Sequence, residues 1–474
     1  RPMNRSVVTC KWVFSRKRND ESKLMSYKAR LVARGFTQRK GLDFHETYSP
    51  VARIATLRIM LALAVERDLE IHQMDVKTAF LNGKLEEDIY MEQPDGFMQG
   101  DFVCKLNKSL YGLKQASRVW NERFHNFILE NGFIRSEYDH CLYSRINKEK
   151  VVYLLLYVDD LILLGEDIEE IIKIKQMVSK EFEMHDMGET RSFLGINIER
   201  EREHGILRIN QRGYLEDVLQ RFGMTDCNSI STPIECQLKL GNDSGSKLTD
   251  KPYRELIGCL MYAACTTRPD LSAAVNYLSQ FQSCATEDHW RAAKRILRYI
   301  KGAIDLKLEY RYKENSVALI GYADADWAGD INDRKSVSGN VIKVFGATVV
   351  WMTRKQTCVA LSSTEAEYVS LCLAACEIMW VRGLLMEIGE TPDEPIILNE
   401  DNQGAIVISS QEKEMQRTKH IDVKFNFVRN LIHQGILEVR YISTNEQLAD
   451  IMTKGLPKKT FEFLRNELNL IRLN

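Results

Sequence analysis

The stretch Val151-Val152-Tyr153-Leu154-Leu155-Leu156-Tyr157-Val158-Asp159-Asp160-Leu161-Ile162-Leu163-Leu164-Gly165 decides how the chain is read. Two runs of large apolar residues are interrupted by adjacent carboxylates and stopped by Gly165. Runs this short, rich in Val, Leu and Ile, predict strands buried on both faces. Asp159-Asp160 then forms the tip of a tight hairpin between them. Two like charges set in an apolar hairpin repel each other and cost free energy unless something cationic neutralises them. A hard divalent ion with oxygen ligands meets that need. A solvated surface turn, where Asp is common, is the alternative that the pair alone leaves open.

The sequence has 474 residues, is 44% hydrophobic and carries a formal net charge of −1. That length predicts two to four domains, and the apolar content suffices for sizeable cores. The 11 Cys are scattered singly with no C-x-x-C pair. This argues against a zinc site or a disulfide framework and for a reducing compartment. No apolar run reaches the length needed to cross a bilayer and no signal peptide is visible, so no membrane is expected. The first residue is Arg1 rather than Met, as expected of a piece of a longer chain. The charge is unevenly spread: residues 1–40 hold twelve Lys and Arg against Asp20 and Glu21. A basic arm in a balanced chain suggests a polyanion nearby, with a solvated tail as the alternative.

Lys11 to Phe14 and Tyr27 to Gly35 alternate apolar and basic residues, predicting two antiparallel strands with 16–26 as their hairpin. Alternation puts Lys28, Arg30 and Arg34 on one face, suited to phosphate oxygens. Thr56 is placed to cap a helix burying Leu57, Met60, Leu61 and Ala64. Asp75 ends an alternating strand, Ile71 onward, from which it can converge with a hairpin tip of the same sheet. Three oxygen-bearing side chains round one point would hold two metal ions; a helix cap or surface residue is the alternative for Asp75 alone. Trp120, Phe124, Phe127 and Ile128 mark a helix ended by Asn131-Gly132. Asp167 and Glu170 have capping-box spacing for a helix with Ile171, Ile172 and Val178 inward. Phe193 to Ile198 reads as a strand.

Residues 238–252, with Gly241 to Lys247 at their centre, form the best linker candidate. A helix follows with Trp290, Ala293, Leu297 and Ile300 on one stripe and Arg291, Lys294, Arg295 and Arg298 on another. That basic stripe suits a phosphate backbone or a solvated face equally. From Ser316 the pattern becomes α/β. A strand from Val317 ends in acids at Asp324 and Asp326, and two more strands are expected at 339–345 and 347–352. Ser362 opens a helix through Trp380, 395–402 is a short strand running into a helix start, and the last strand is 437–442. Asp324, Glu367, Asp401 and Asp450 thus lie at strand ends or helix starts. Bordering one sheet, they would form a carboxylate cluster of the kind that binds two Mg²⁺; taken singly, each is a cap or turn residue.

Taken together, the ordered motifs resemble the reverse transcriptase–ribonuclease H segment of Pol from copia-type LTR retrotransposons, over nearly the whole chain. The resemblance is carried by residues 27–36 (YKARLVARGF), 74–83 (MDVKTAFLNG), 110–115 (LYGLKQ), Tyr157 to Asp160, Phe193 to Gly195, 322–327 (YADADW), 361–368 (LSSTEAEY) and 419–422 (KHID). So many matches in order are far more specific than any single motif.

The resemblance implies an α+β and α/β multidomain fold: a right-hand polymerase of fingers, palm and thumb, then a helical connection, then a ribonuclease H-like domain. The expected boundaries are 1–236 for fingers, palm and the start of the thumb, 237–315 for linker and connection, 316–460 for the ribonuclease H-like domain and 461–474 for a tail. The implied activity is RNA-directed DNA synthesis by two-metal nucleotidyl transfer, with cleavage of the RNA strand of RNA–DNA hybrids. Mg²⁺, or Mn²⁺ in its place, would be held by Asp75, Asp159 and Asp160 in the palm. Asp324, Glu367, Asp401 and Asp450 would serve the nuclease, with Asp326 and Glu365 as close rivals. Lys28 and Arg30 are implied for the triphosphate, Gln115 for the incoming nucleotide, and Phe80 for excluding a ribose 2′-hydroxyl. Phe193, Leu194 and Gly195 match the primer grip. The implied partners are an RNA template, a DNA primer, RNA–DNA hybrid, dNTPs and the element's other Pol and Gag products. The implied setting is cytoplasmic, in virus-like particles, with nuclear entry as an option. A decayed or domesticated copy that binds nucleic acid without catalysis is the competing reading.

Overall fold

A computed structural model describes residues 6–18, 24–147, 150–241, 248–410 and 419–472. The chain forms two compact units, Arg1–Arg53 with Glu70–Glu189 and Ile54–Leu69 with Thr190–Asn474. Helix α1 (Ile54–Glu66) therefore interrupts the first unit in sequence and belongs to the second.

The first unit is organised on a six-stranded sheet whose centre is β1 (Glu70–Val76), β2 (Lys150–Tyr157) and β3 (Asp160–Gly165). β3 runs antiparallel to β2 on one side and to β1 on the other. The expected hairpin is present, with Tyr157 paired to Asp160 and a two-residue turn, Val158-Asp159, between them. Val152 to Leu156 and Leu161 to Leu164 are all buried, as runs without alternation require. Helices α2 (Ala116–Glu130) and α3 (Ile168–Glu181) pack Trp120, Phe124, Ile171 and Val178 against Leu154, Leu156, Leu161 and Leu163. Asp167 caps α3 by accepting from the Glu169 amide at 2.8 Å. Glu170 does not complete the expected box, because its carboxylate is engaged by Lys173 and Asn147. Ile172 faces outward, not inward, since Ile171, Ile174 and Val178 already make the buried stripe. The strands Cys10–Arg18 and Leu24–Ala33 pair antiparallel and run further toward their turn than expected.

In the second unit a five-stranded sheet has the order β6-β5-β4-β7-β8. These are β4 (Leu319–Asp326), β5 (Val337–Val344), β6 (Ala347–Lys355), β7 (Ile396–Glu400) and β8 (Leu437–Tyr441). The first three are antiparallel, while β7 lies parallel to β4 and β8 parallel to β7. Helix α4 (Ser363–Glu387) packs across β4 and β5 and extends beyond the expected end at Trp380. By length and composition α4 could cross a bilayer, against the expectation that no segment could, yet most of it is buried. Ala374, Ala375, Ile378 and Val381 are wholly covered, as in the core helix of a globular unit.

Several local expectations change. Thr56 lies inside α1 and is fully buried rather than capping it, and every residue from Thr56 to Val65 is buried. The buried Arg58 of that helix donates to the carbonyls of Val349, Cys265 and Thr266 and stacks over Trp351 at 3.7 Å. Phe193 to Ile198 is a hairpin, not one strand: Leu194 and Gly195 turn the chain at φ 50° and 72°. In the helix Glu287–Gly302 the basic stripe is largely consumed internally. Arg295 binds Glu235 and Thr232, Arg298 binds the Asn228 carbonyl, and Arg291 pairs with Asp288. Residues 242–247 of the expected linker, and the side chains of Lys419 to Asp422, lie outside the described residues.

Candidate functional site

In the first unit, Asp75 and Asp160 are register partners across β1 and β3. The Val76 amide donates to the Asp159 carbonyl at 2.8 Å, so Asp159 enters the same end of the sheet from the turn. Val158 holds φ 58°, a conformation that a β-branched residue adopts only at a cost of about 1–3 kcal/mol. The Trp120 indole donates to its carbonyl at 2.6 Å and fixes the turn from α2. Burial pushes the Asp159 carboxyl up and Asp75 adds to this, while Arg30 and Lys28 pull it back. Burial also drives Asp160 up, to about 6, helped by Asp159 and Asp75 and opposed by the Gln73 amide, which donates to it at 3.2 Å. Such a site stores unfavourable negative charge that a cation relieves.

Lys28 and Arg30 sit on one exposed face of the strand Leu24–Ala33. The base of that strand docks on Tyr111-Gly112: the Ala33 amide donates to the Tyr111 carbonyl, and Gly35 to that of Gly112. A Cβ on Gly112, at φ 91°, would fall 2.0 Å from the Ala33 carbonyl, so only glycine permits the approach. Docking puts the Arg30 guanidinium 5.7 Å from the Tyr111 ring, and Phe80 packs on the same ring at 4.7 Å. Gln115 is buried, with its amide accepting from Gln38 and donating to the Asp43 carbonyl. Phe193 to Gly195 belong to the second unit, where Tyr262 donates to the Leu194 carbonyl.

In the second unit, Asp324 on β4, Glu367 at the start of α4 and Asp401 after β7 bring ligand oxygens within 4.8 Å of one another. They are the only such trio of acids, His or Cys among the described residues. Asp450 stands apart from the trio but next to Asp324, and Lys454 ties the two, 2.8 Å from Asp450 and 3.8 Å from Asp324. Thr453 also donates to Asp324. Burial and then Asp324 push Asp450 up to about 7, although Lys454 opposes this. Burial raises Glu367 strongly, with Glu400, Asp324 and Asp401 adding to it. The rival Glu365 is spent elsewhere, accepting from the Leu361 amide at 2.7 Å. The rival Asp326 lines a neighbouring cavity of about 680 Å³ with Trp327, Arg334, Lys454, Tyr277 and Gln280.

Sequence reasoning missed Gln73, Lys454 and Glu400. Gln73 lies two residues before Asp75, on the strand facing Asp160, which was a usable signal. Lys454 follows Asp450 by one helical turn. Glu400 is adjacent to Asp401, and only the sheet geometry distinguishes their directions.

A family model described as reverse transcriptase (RNA-dependent DNA polymerase) matches residues 1–236. The chain is 42% identical to the retrovirus-related Pol polyprotein from transposon TNT 1-94 of Nicotiana tabacum, over 98% of this chain and 36% of that one. It is 41% identical to the Pol polyprotein from transposon RE1 of Arabidopsis thaliana, over 100% of this chain and 32% of that one. A transposon Ty5-1 protein of Saccharomyces cerevisiae is 34% identical over 64% of this chain and 100% of its own length. The chain spans about a third of the length of the two plant relatives. On this evidence the chain belongs to the retrotransposon reverse transcriptase family, as the reverse transcriptase–ribonuclease H segment of a Pol polyprotein.

Proposed function

We propose that the first unit copies RNA into DNA at Asp75, Asp159 and Asp160, and that the second cleaves the RNA strand of the resulting hybrid at Asp324, Glu367, Asp401 and Asp450. The observation that carries the reading is the meeting of Asp75 with Asp159-Asp160 at one sheet end, repeated by a separate carboxylate trio in the other unit. The donor sets fit divalent metal ions: all ligands are hard oxygens, and Glu367 Oε2 is buried with no hydrogen-bond partner among the described residues. Paired Mg²⁺, or Mn²⁺, would supply the charge that activates the attacking oxygen and stabilises the leaving one.

The residues of the chain do the rest. Asp75 and Asp159 fix where that charge sits, and Asp160, held by Gln73, keeps the site electronegative. Lys28 and Arg30 neutralise the triphosphate, and Phe80, backed by Tyr111, blocks the 2′-hydroxyl of a ribonucleotide. Gln115, buried in a rigid amide network, supports the nucleotide site from behind. Phe193 to Gly195 steady the primer. In this arrangement the first unit supplies the fingers and palm. In the second unit Lys454 orients Asp324 and Asp450, and the cavity lined by Trp327 and Arg334 receives one strand of the hybrid, which 2′-hydroxyls and shape distinguish from duplex DNA. The natural partners are then RNA template, DNA primer, dNTPs and the element's other Pol and Gag products, in cytoplasmic particles. Primer extension on poly(A)–oligo(dT) with Mg²⁺ tests the reading. Extension with dTTP supports it; a folded protein that binds the substrate without extending it would instead mark a domesticated binder.

A further inference from the structure

Glu400 closes β7 and is 0% exposed, the most deeply buried acid near the trio. One of its carboxylate oxygens accepts from the Asn402 amide at 3.0 Å. The other, Oε2, has no hydrogen-bond partner among the described residues. Glu367 Oε2 is in the same condition. A buried carboxylate oxygen left without a donor is costly, so two of them together call for an explanation.

Strand geometry says where the Glu400 side chain goes. A Cβ on Gly321 would meet both Ile378 of α4 and Leu398 of β7, so Leu398 lies on the face of the sheet covered by α4. Side chains two apart share a face, which puts Glu400 on that face as well, at the end nearest the first turn of α4. Glu367 begins the next turn of that helix. After burial, Glu400 is the strongest influence on Glu367, and Asp324 and Asp401 in turn act on Glu400. Asp401 itself takes a hydrogen bond from Thr444 at 2.7 Å.

We propose that Glu400 is a fifth carboxylate of the second centre, a positioning residue that backs Glu367 and Asp401 and tightens the hold of the site on a divalent cation. This rests on the reading that the second centre takes such cations. With a cation bound, the orphaned oxygens of Glu367 and Glu400 gain positive charge nearby; without it both stand among the negative charges of Asp324 and Asp401.

The test uses the full chain carrying Asp159→Asn and Asp160→Asn, so that metal binding reports on the second centre. Calorimetric titration with Mn²⁺ should show affinity about tenfold weaker in Glu400→Gln, as for other groups that support metal ligands. Glu400→Asp should recover part of the loss. The Mg²⁺ concentration for half-maximal hybrid cleavage should rise in parallel. Unchanged Mn²⁺ affinity in Glu400→Gln overturns the proposal, whether or not its melting temperature falls. If the protein with native Glu400 binds no Mn²⁺, the cation reading of the centre fails as well, an outcome distinct from binding that ignores position 400.

Discussion

Asp75 and Asp160 stand opposite each other on neighbouring strands, brought together by the antiparallel register of β1 and β3. Neither is fully buried, and each is within reach of the turn that carries Asp159. The two units hold separate carboxylate sets, and that separation is testable.

Asp159→Asn should reduce primer extension by at least about a hundredfold and leave hybrid cleavage within a fewfold of normal, because neutralising one ligand cripples only its own metal centre. Asp450→Asn should do the reverse. Gel assays of both activities on each variant decide the matter; loss of both from either change would refute independent centres.

Phe80→Ala should increase ribonucleotide incorporation relative to deoxyribonucleotide. The ring packs on Tyr111 at 4.7 Å and against two apolar clusters, so a modest loss of thermal stability should accompany it. Sugar selectivity identical to that of the parent protein would remove Phe80 from the gate.

Gln73→Leu deletes the hydrogen bond that favours ionised Asp160. Losing a donor to the charged form raises an acid further, so the acidic limb of the extension rate should move upward by roughly half a unit to one unit. A pH–rate profile that coincides with the parent's would show that Asp160 does not need its charge.

Asp450 is raised to about 7 from an ordinary value of 3.8. Below about pH 4 it is protonated in both folded and unfolded chains; as the pH rises through 7, the unfolded chain has released a proton that the folded chain still holds or gives up unfavourably. The raised acid therefore favours folding at low pH, and that contribution is lost as the pH rises. In chelator, Asp450→Asn should melt a few degrees above the parent at pH 8, and the gap should close near pH 4. A variant that melted below the parent at pH 8 would mean that the Lys454 pair outweighs burial.

Arg268 and Asp270 form an ion pair that is 1% and 0% exposed, joined by the Tyr299 hydroxyl, which donates to Asp270 at 2.6 Å. Arg268→Met should cost about 3–5 kcal/mol by leaving the Asp270 charge buried without its partner. Adding Asp270→Leu should restore much of it. Denaturant titrations check both, and an additive double variant would mean the pair is not coupled.

The central hairpin was legible because two apolar runs without alternation can only be strands covered on both faces, and Asp159-Asp160 is the one polar break between them. α1 was legible as a helix, but its burial was not: Thr56 to Val65 are covered on every side, so no stripe marks an inward face. The Leu194-Gly195 turn was hidden because a leucine at φ 50° leaves no trace in composition. Choosing Glu367 over Glu365 needed the folded structure, since the two are neighbours near the start of α4 and only the hydrogen bond from the Leu361 amide and the carboxylate trio tell them apart. Glu400 was out of reach for a similar reason. Its neighbour Asp401 had an equal claim by position, and the complete burial of Glu400 shows only in the folded sheet.

Residues 54–69 complete the second unit although both flanks build the first. Neither unit is a continuous ribbon, so no single scission of the chain frees either of them intact. Recombination at one junction would tear a fully covered helix out of its core.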